Sequence, residues 1–181
     1  MLPSVTQIIS FCNPGAFAGV APEVLAAACR RGTALHSLFA AYALELPTFE
    51  VPPELEGYFT SYQRWFDDMV VKVILAEEQV THPTLGYTGT PDLVCQLKGD
   101  GGLALGDDKS SAVFSKGWRL QTSAYRDLVE KAKELYIPRT FSLQPRVDGS
   151  RAVFREYTRS LSADFAVFQS CLQVWRFWNA E

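Results

Sequence analysis

The stretch Tyr87–Ser111, YTGTPDLVCQLKGDGGLALGDDKSS, decides how this chain is read. It reads as two strands joined by a tight turn. Tyr87 to Leu97 carries Leu93, Val94 and Leu97, and Leu103 to Lys109 carries Leu103 and Leu105. Between them, Lys98-Gly99-Asp100-Gly101-Gly102 is turn chemistry, because glycine reaches positive φ at little steric cost. A loop over residues 98 to 101 sets Leu97 opposite Gly102 and Asp92 opposite Asp107. Directly opposed side chains share a face of the sheet. Lys109 joins that face because side chains alternate with a period of two, and Asp108 points to the other. A slip of one residue would exchange Asp107 for Asp108.

Two carboxylates about 4.5–5.5 Å apart at Cβ repel one another unless something positive sits between them. A divalent cation is one answer. Mg²⁺ takes hard oxygen ligands and is often held by one or two carboxylates plus phosphate oxygens. A lysine beside it can offset charge growing on a phosphate, or help orient and deprotonate an attacking water. The spacing D-x(14)-D-x-K therefore reads as metal-assisted phosphodiester cleavage. The same residues also suit a surface hairpin with solvated charges, since Asp, Lys and Gly are ordinary hairpin residues.

The pattern has a family likeness. Gly89-Thr90-Pro91-Asp92, followed by a strand ending in Asp107-Asp108-Lys109, resembles the PD-(D/E)xK nuclease superfamily, with Asp in the acidic place before x-Lys. Arg31-Gly32-Thr33-Ala34-Leu35-His36 upstream and Gln121-Thr122-Ser123-Ala124-Tyr125 downstream resemble the other two signatures of the RecB-type exonuclease branch. Glu77 to Asp92 is similar to the matching part of mitochondrial genome-maintenance and phage-type exonucleases. The likeness runs from about Ser4 to Tyr125. It implies an α/β fold with a restriction-endonuclease-like three-layer core, a small mixed sheet flanked by helices. It implies a metal-dependent DNA exonuclease of recombination, repair or phage DNA processing. The expected metal ligands for Mg²⁺ or Mn²⁺ are His36, Asp92 and Asp107, with the Asp108 carbonyl as a further one. Asp92, Asp107 and Lys109 would be catalytic, Lys109 assisting the water. Gln121 and Tyr125 would position the strand, and Arg31, Lys116 and Arg119 would meet phosphates. Some relatives hold an iron–sulfur cluster through one early cysteine and three clustered late ones. Cys12, Cys29, Cys95 and Cys171 depart from that spacing, so no cluster is expected.

Composition sets the frame. At 181 residues the chain is expected to form one domain over 1–181. Hydrophobic residues at 48% and charged residues at 20% are ordinary globular usage. A net charge of −3 does not advertise a general nucleic-acid binder, so any positive potential toward DNA must be local. No apolar run approaches a membrane span, and the first residues lack a signal peptide's basic and apolar regions, so an intracellular, cytoplasmic protein is expected. Without a CxxC or a Cys/His zinc spacing, the four cysteines read as reduced, mostly buried thiols.

Along the chain, Ser4 caps a short helix through Phe11, a role that competes with contact to phosphate. A helix follows from Pro22 to about Leu46, with Leu25, Cys29, Leu35, Leu38, Phe39 and Tyr42 toward the core. Gly32 inside it suggests a close contact or a kink, at a cost of roughly 1 kcal/mol against Ala. His36, one turn on, reads by pattern alone as a packed residue, and the likeness makes it a ligand. Glu54 to about Val71 is a helix with an aromatic stripe, followed by a strand from Val73 to Thr81. There the resemblance sets Glu77 at an acidic position of the family with Glu78 beside it, and one of them either supports the site through an outer contact or a second metal or is solvated at a sheet edge. Ser115 caps a helix from Lys116 to about Leu135. Two strands, Ile137–Val147 and Arg151–Tyr157, turn at Asp148-Gly149, in a region made basic by Arg139, Arg146, Arg151, Arg155 and Arg159. A last helix starts at Ser162, with Phe165, Phe168, Leu172, Trp175 and Trp178 as a docking face for the core, a protein partner or a second copy of the chain. DNA with a free end is the expected partner. Two alternatives stay open: a catalytically silent DNA-binding module, and a nuclease subunit of a larger complex.

Overall fold

The computed structural model of the protein describes residues 2–47, 50–99, 101–111, 113–157 and 160–179. Asp100 of the expected turn and Arg159 of the basic region lie outside them. The fold is α/β. A five-stranded mixed sheet has the order β1-β4-β5-β6-β7, where β1 is Val70–Ala76, β4 Leu93–Leu97, β5 Leu103–Asp108, β6 Arg139–Gln144 and β7 Val153–Glu156. Within this sheet, among the described residues, β5 and β6 pair in parallel and the other neighbours antiparallel. The parallel pair is joined by helix α4, Gly117–Lys133, since parallel neighbours need a crossover. A two-stranded ribbon pairs β2, Val80–Thr81, with β3, Thr88–Gly89.

Helices cover both faces of the sheet. On one face lie α2, Pro22–Ala43, and α3, Pro53–Met69. Their Leu35, Phe39, Phe59, Tyr62 and Trp65 meet Leu93, Cys95 and Leu97 of β4 and Phe141 of β6. On the other face lie α1, Val5–Cys12, α4, and α5, Leu161–Asn179. Their Ile8, Leu128 and Phe168 meet Val94 and Leu105. The alternation of β4 between the two clusters is the period of two expressed as burial. The expected three-layer α/β arrangement is the one observed.

Several expected boundaries move, each for a physical reason. The expected strand Tyr87–Leu97 is two strands, because Pro91 has no N–H to give a ladder. The expected strand Val73–Thr81 starts earlier, at Val70, and breaks at Glu77, whose φ is +48°. Helix α2 ends at Ala43, short of Leu46. Gly32 makes no close approach: a Cβ there would meet Ser110 Oγ only at 3.9 Å, an ordinary contact. Cys29 is exposed, and Leu25 half-buried, because the first turns of α2 reach past the sheet. Cys12 is exposed as well and Cys171 half-buried, so Cys95 alone among the cysteines is fully buried. Trp178 lies 69% exposed, off the docked face of α5. Ser4 caps α1 as expected, in a full capping box with Gln7. Ser115 lies one residue outside the helix cap at Lys116, and its hydroxyl accepts from the Gly117 N–H at 3.2 Å. No helix among the described residues is long and apolar enough to cross a membrane.

Candidate active site

The hairpin register is the expected one. Gln96 faces Leu103, Cys95 faces Ala104, Val94 faces Leu105, and Leu93 faces Gly106. Continuing that pairing by one residue brings Asp92 opposite Asp107. The turn closes with Gly99 and Gly101 both at positive φ. Asp92 is locked at the head of β4, where its Oδ2 accepts the main-chain N–H of Asp108 at 2.6 Å. The Asp108 side chain takes the opposite face, beside Tyr62 and Cys95. Burial, with Asp108 as the next contribution, lifts the Tyr62 hydroxyl well above its usual range and the Cys95 thiol to about 12.

His36 reaches the same corner from α2. Its Nδ1 lies 2.9 Å from Glu77 Oε1 and 3.2 Å from Asp92 Oδ1. Ionised carboxylates only accept, so Nδ1 carries the proton. His36, Glu77 and Asp92 each offer a ligand atom, and the three atoms lie within 4.8 Å of one another. Glu77 gets there through its left-handed backbone, which ends β1 and turns the carboxylate inward. Its N–H is held by the carbonyls of Pro91 and Asp92 at 3.1 and 3.3 Å. A non-glycine residue held at positive φ costs of order 1–3 kcal/mol and is tolerated where the surroundings over-determine it. Glu78, its neighbour, pairs instead with Lys133 at the surface. The family likeness had set Glu77, not Glu78, at an acidic position, while the residue pattern alone did not separate the two, since the distinction lies in one backbone torsion.

Asp107 is fully buried. Lys109 Nζ lies 2.5 Å from its Oδ2, but as an ion contact without hydrogen-bond alignment, and neither carboxylate oxygen has a hydrogen-bond partner. Lys109 also donates to Gln121 Oε1 at 3.1 Å, and Gln121 donates from Nε2 to the Tyr125 hydroxyl at 3.2 Å. Four of the expected residues thus form one chain of contacts from β5 to α4. Tyr125 packs so close to β3 that a Cβ on Gly89 would sit 2.6 Å from its ring.

The electrostatics follow from burial against charge. At His36 burial alone would lower the pKa, but the carboxylates of Asp92 and Glu77 outweigh it and raise it to about 11. Burial and the Asp92 charge push Asp107 up to about 6 against the opposing pull of Lys109. At Lys109 burial opposes charge, yet the three aspartates hold its ammonium above the usual lysine range.

The donor set suits a hard or borderline divalent cation: one imidazole nitrogen and two carboxylates, from His36, Glu77 and Asp92. Asp107, expected as a ligand, is not one of these three and keeps its buried oxygens without hydrogen-bond partners. The proton that His36 shares between Glu77 and Asp92 lies where a cation would satisfy the same charges.

The basic residues divide. Arg119 is committed to Asp164, with bonds of 3.1 and 2.7 Å. Arg31 keeps a buried Nε without a partner and, with Arg30, lines a cleft of about 520 Å³ between α2 and α3. Lys116 stands exposed at the start of α4.

No protein-family model matches the chain, and no curated protein matches it. Among solved structures it is similar to a crystal structure of LHK-Exo in complex with dAMP, with a TM-score of 0.41 and 12% identity over 99% of this chain and 93% of that one. It is similar also to a crystal structure of an alkaline exonuclease (LHK-Exo) from Laribacter hongkongensis, with a TM-score of 0.39 and 12% identity over 94% and 87%. The reading of the site rests on its own residues.

Proposed function

We propose that this protein is a divalent-cation-dependent deoxyribonuclease that hydrolyses phosphodiester bonds from a DNA end, in the manner of the RecB-type branch its motifs resemble. The observation that carries the reading is the meeting of His36, Glu77 and Asp92 donor atoms within 4.8 Å of one another, beside the buried pair Asp107–Lys109. His36, Glu77, Asp92 and Asp107 would hold Mg²⁺ or Mn²⁺, with the Asp108 main-chain carbonyl completing the set. When bound, the cation would neutralise charge on the scissile phosphate and acidify a water.

The chain's own residues supply the rest. Lys109, kept as an ammonium by Asp107 and braced by Gln121, donates hydrogen bonds to the phosphate or to the incoming water and offsets charge as it develops. Gln121 and Tyr125 fix where that ammonium points and border the strand's path. Of the three basic residues expected to meet phosphates, Arg31 and Lys116 have hydrogen-bonding capacity left, while Arg119 braces α4 against α5 through Asp164.

End-labelled single- and double-stranded DNA incubated with Mg²⁺, Mn²⁺ or EDTA tests the reading. Stepwise shortening from one end with either metal and none with EDTA is expected. Asp107→Ala and Lys109→Ala should each lose about 10²–10⁴-fold in rate while keeping the wild-type circular dichroism. Cleavage at the wild-type rate by both variants would overturn the assignment. Metal-independent DNA binding without cleavage would favour a silent binding module instead.

A further inference from the structure

Between Lys109 and α4 the chain carries an exposed apolar tip that the catalytic reading does not use. Val113 is 76% exposed and Phe114 37% exposed. Neither serves the core, yet Phe114 is held in a set geometry. The Arg155 guanidinium lies over its ring at 4.3 Å from the centroid. Trp118, on the first turn of α4, meets it edge to face with centroids 5.4 Å apart. Tyr157 lies beside it at 6.5 Å.

This aromatic group is wired to the catalytic strand. The Tyr157 hydroxyl shares a hydrogen bond of 2.6 Å with Ser142, and Ser142 is the ladder partner of Asp107. The loop itself is pinned at its root, where Gln144 Nε2 donates to the Ser111 carbonyl at 2.9 Å. Among the described residues no carboxylate pairs with Arg155, and its guanidinium packs on the Phe114 ring. An aromatic ring 37% exposed, with a guanidinium on one face and joined through Tyr157 and Ser142 to the strand that carries Asp107, has the attributes of a nucleobase platform. Every base has a π-face, and stacking is indifferent to sequence but needs the base unpaired.

We infer that Phe114, with Arg155 over it and Trp118 behind it, stacks an unpaired nucleobase next to the scissile phosphate, which makes the substrate a single strand or a frayed end. The inference rests on the nuclease reading above and deepens it by naming the form of DNA the site accepts.

The test uses oligonucleotides with 2-aminopurine placed in turn at the first three nucleotides of each end, bound to an Asp107→Asn chain so that the strand stays intact. Stacking quenches 2-aminopurine. One position should be quenched on binding, and Phe114→Ala should abolish that quench and weaken single-strand affinity about five- to 150-fold. The Phe114→Trp chain should restore both, which a merely structural role would not produce. The affinity penalty of Phe114→Ala should fall within twofold when the quenched nucleotide is made abasic. An unchanged quench and affinity in Phe114→Ala, while the wild-type chain digests end-labelled DNA, would overturn the platform and leave the nuclease. Failure of the wild-type chain both to bind and to digest DNA would overturn the two together.

Discussion

His36 carries the plainest consequence at the residue scale. Its proton is held between Glu77 and Asp92, so a cation must displace it to be bound. Apparent Mn²⁺ affinity should therefore rise steadily from pH 6 to 9 in isothermal titration calorimetry, and His36→Gln should flatten that rise and weaken binding about 10- to 100-fold. The sign for the metal-free fold is the reverse. The group's pKa is near 6.5 when unfolded and about 11 when folded. The stability it lends is complete below pH 6.5 and is lost as pH climbs toward 11. Urea midpoints of the metal-free wild-type chain should fall across that window, and those of His36→Gln should fall less. The pattern of residues made His36, Asp92 and Asp107 visible because each sits in a short motif. The likeness set Glu77 at an acidic position, but periodicity could not separate it from Glu78, since a single left-handed torsion leaves no repeat to read.

At the scale of elements, the turn glycines and the alternation of apolar residues made the β4–β5 register legible, and with it the face shared by Asp92, Asp107 and Lys109. The boundaries of β1 and β3 were not, because β1 follows α3 with no residue between Met69 and Val70 and so no turn signal marks the change. Close packing between α3 and the turn after β6 was equally hidden. A Cβ on Gly57 would sit 1.7 Å from the Val147 carbonyl oxygen and 3.3 Å from the Gly149 nitrogen. Both obstacles are backbone, and Arg64 ties the same turn down by donating to the Gly149 carbonyl at 2.8 Å. Gly57→Ala should thus destabilise the protein by about 4 kcal/mol or more, among the largest effects of single substitutions. Chemical denaturation, or loss of soluble expression, would register it. An equal midpoint for Gly57→Ala and wild type would show that the turn can lift off α3 without cost.

For the whole molecule, the site ties together parts of the fold that the core keeps apart. His36 comes from the helix layer on one face, Lys109 faces the other, and Glu77 and Asp92 come from neighbouring strand ends. A bound cation would cross-link these layers in the folded chain only. Stabilisation by about 2.7 kcal/mol is expected when free metal reaches 100 times its dissociation constant. Thermal melts in Mn²⁺ and in EDTA should therefore separate by several degrees for wild type and coincide for Asp92→Asn. Coincident wild-type melts would remove the metal centre from the account.

The contact between the first helix and the last has a further consequence. Ile8 of α1 and Phe168 of α5 belong to one buried cluster with Tyr87 and Leu128, and Pro3 accepts the Thr88 N–H at 2.9 Å. During synthesis α1 is made well before α5, the helix it packs with. Until α5 is released, α1 and α4 alone cover that side of the sheet and the surface that takes Phe168 and Leu172 stays open, so the interval of synthesis after β7 is when this protein has most need of a chaperone.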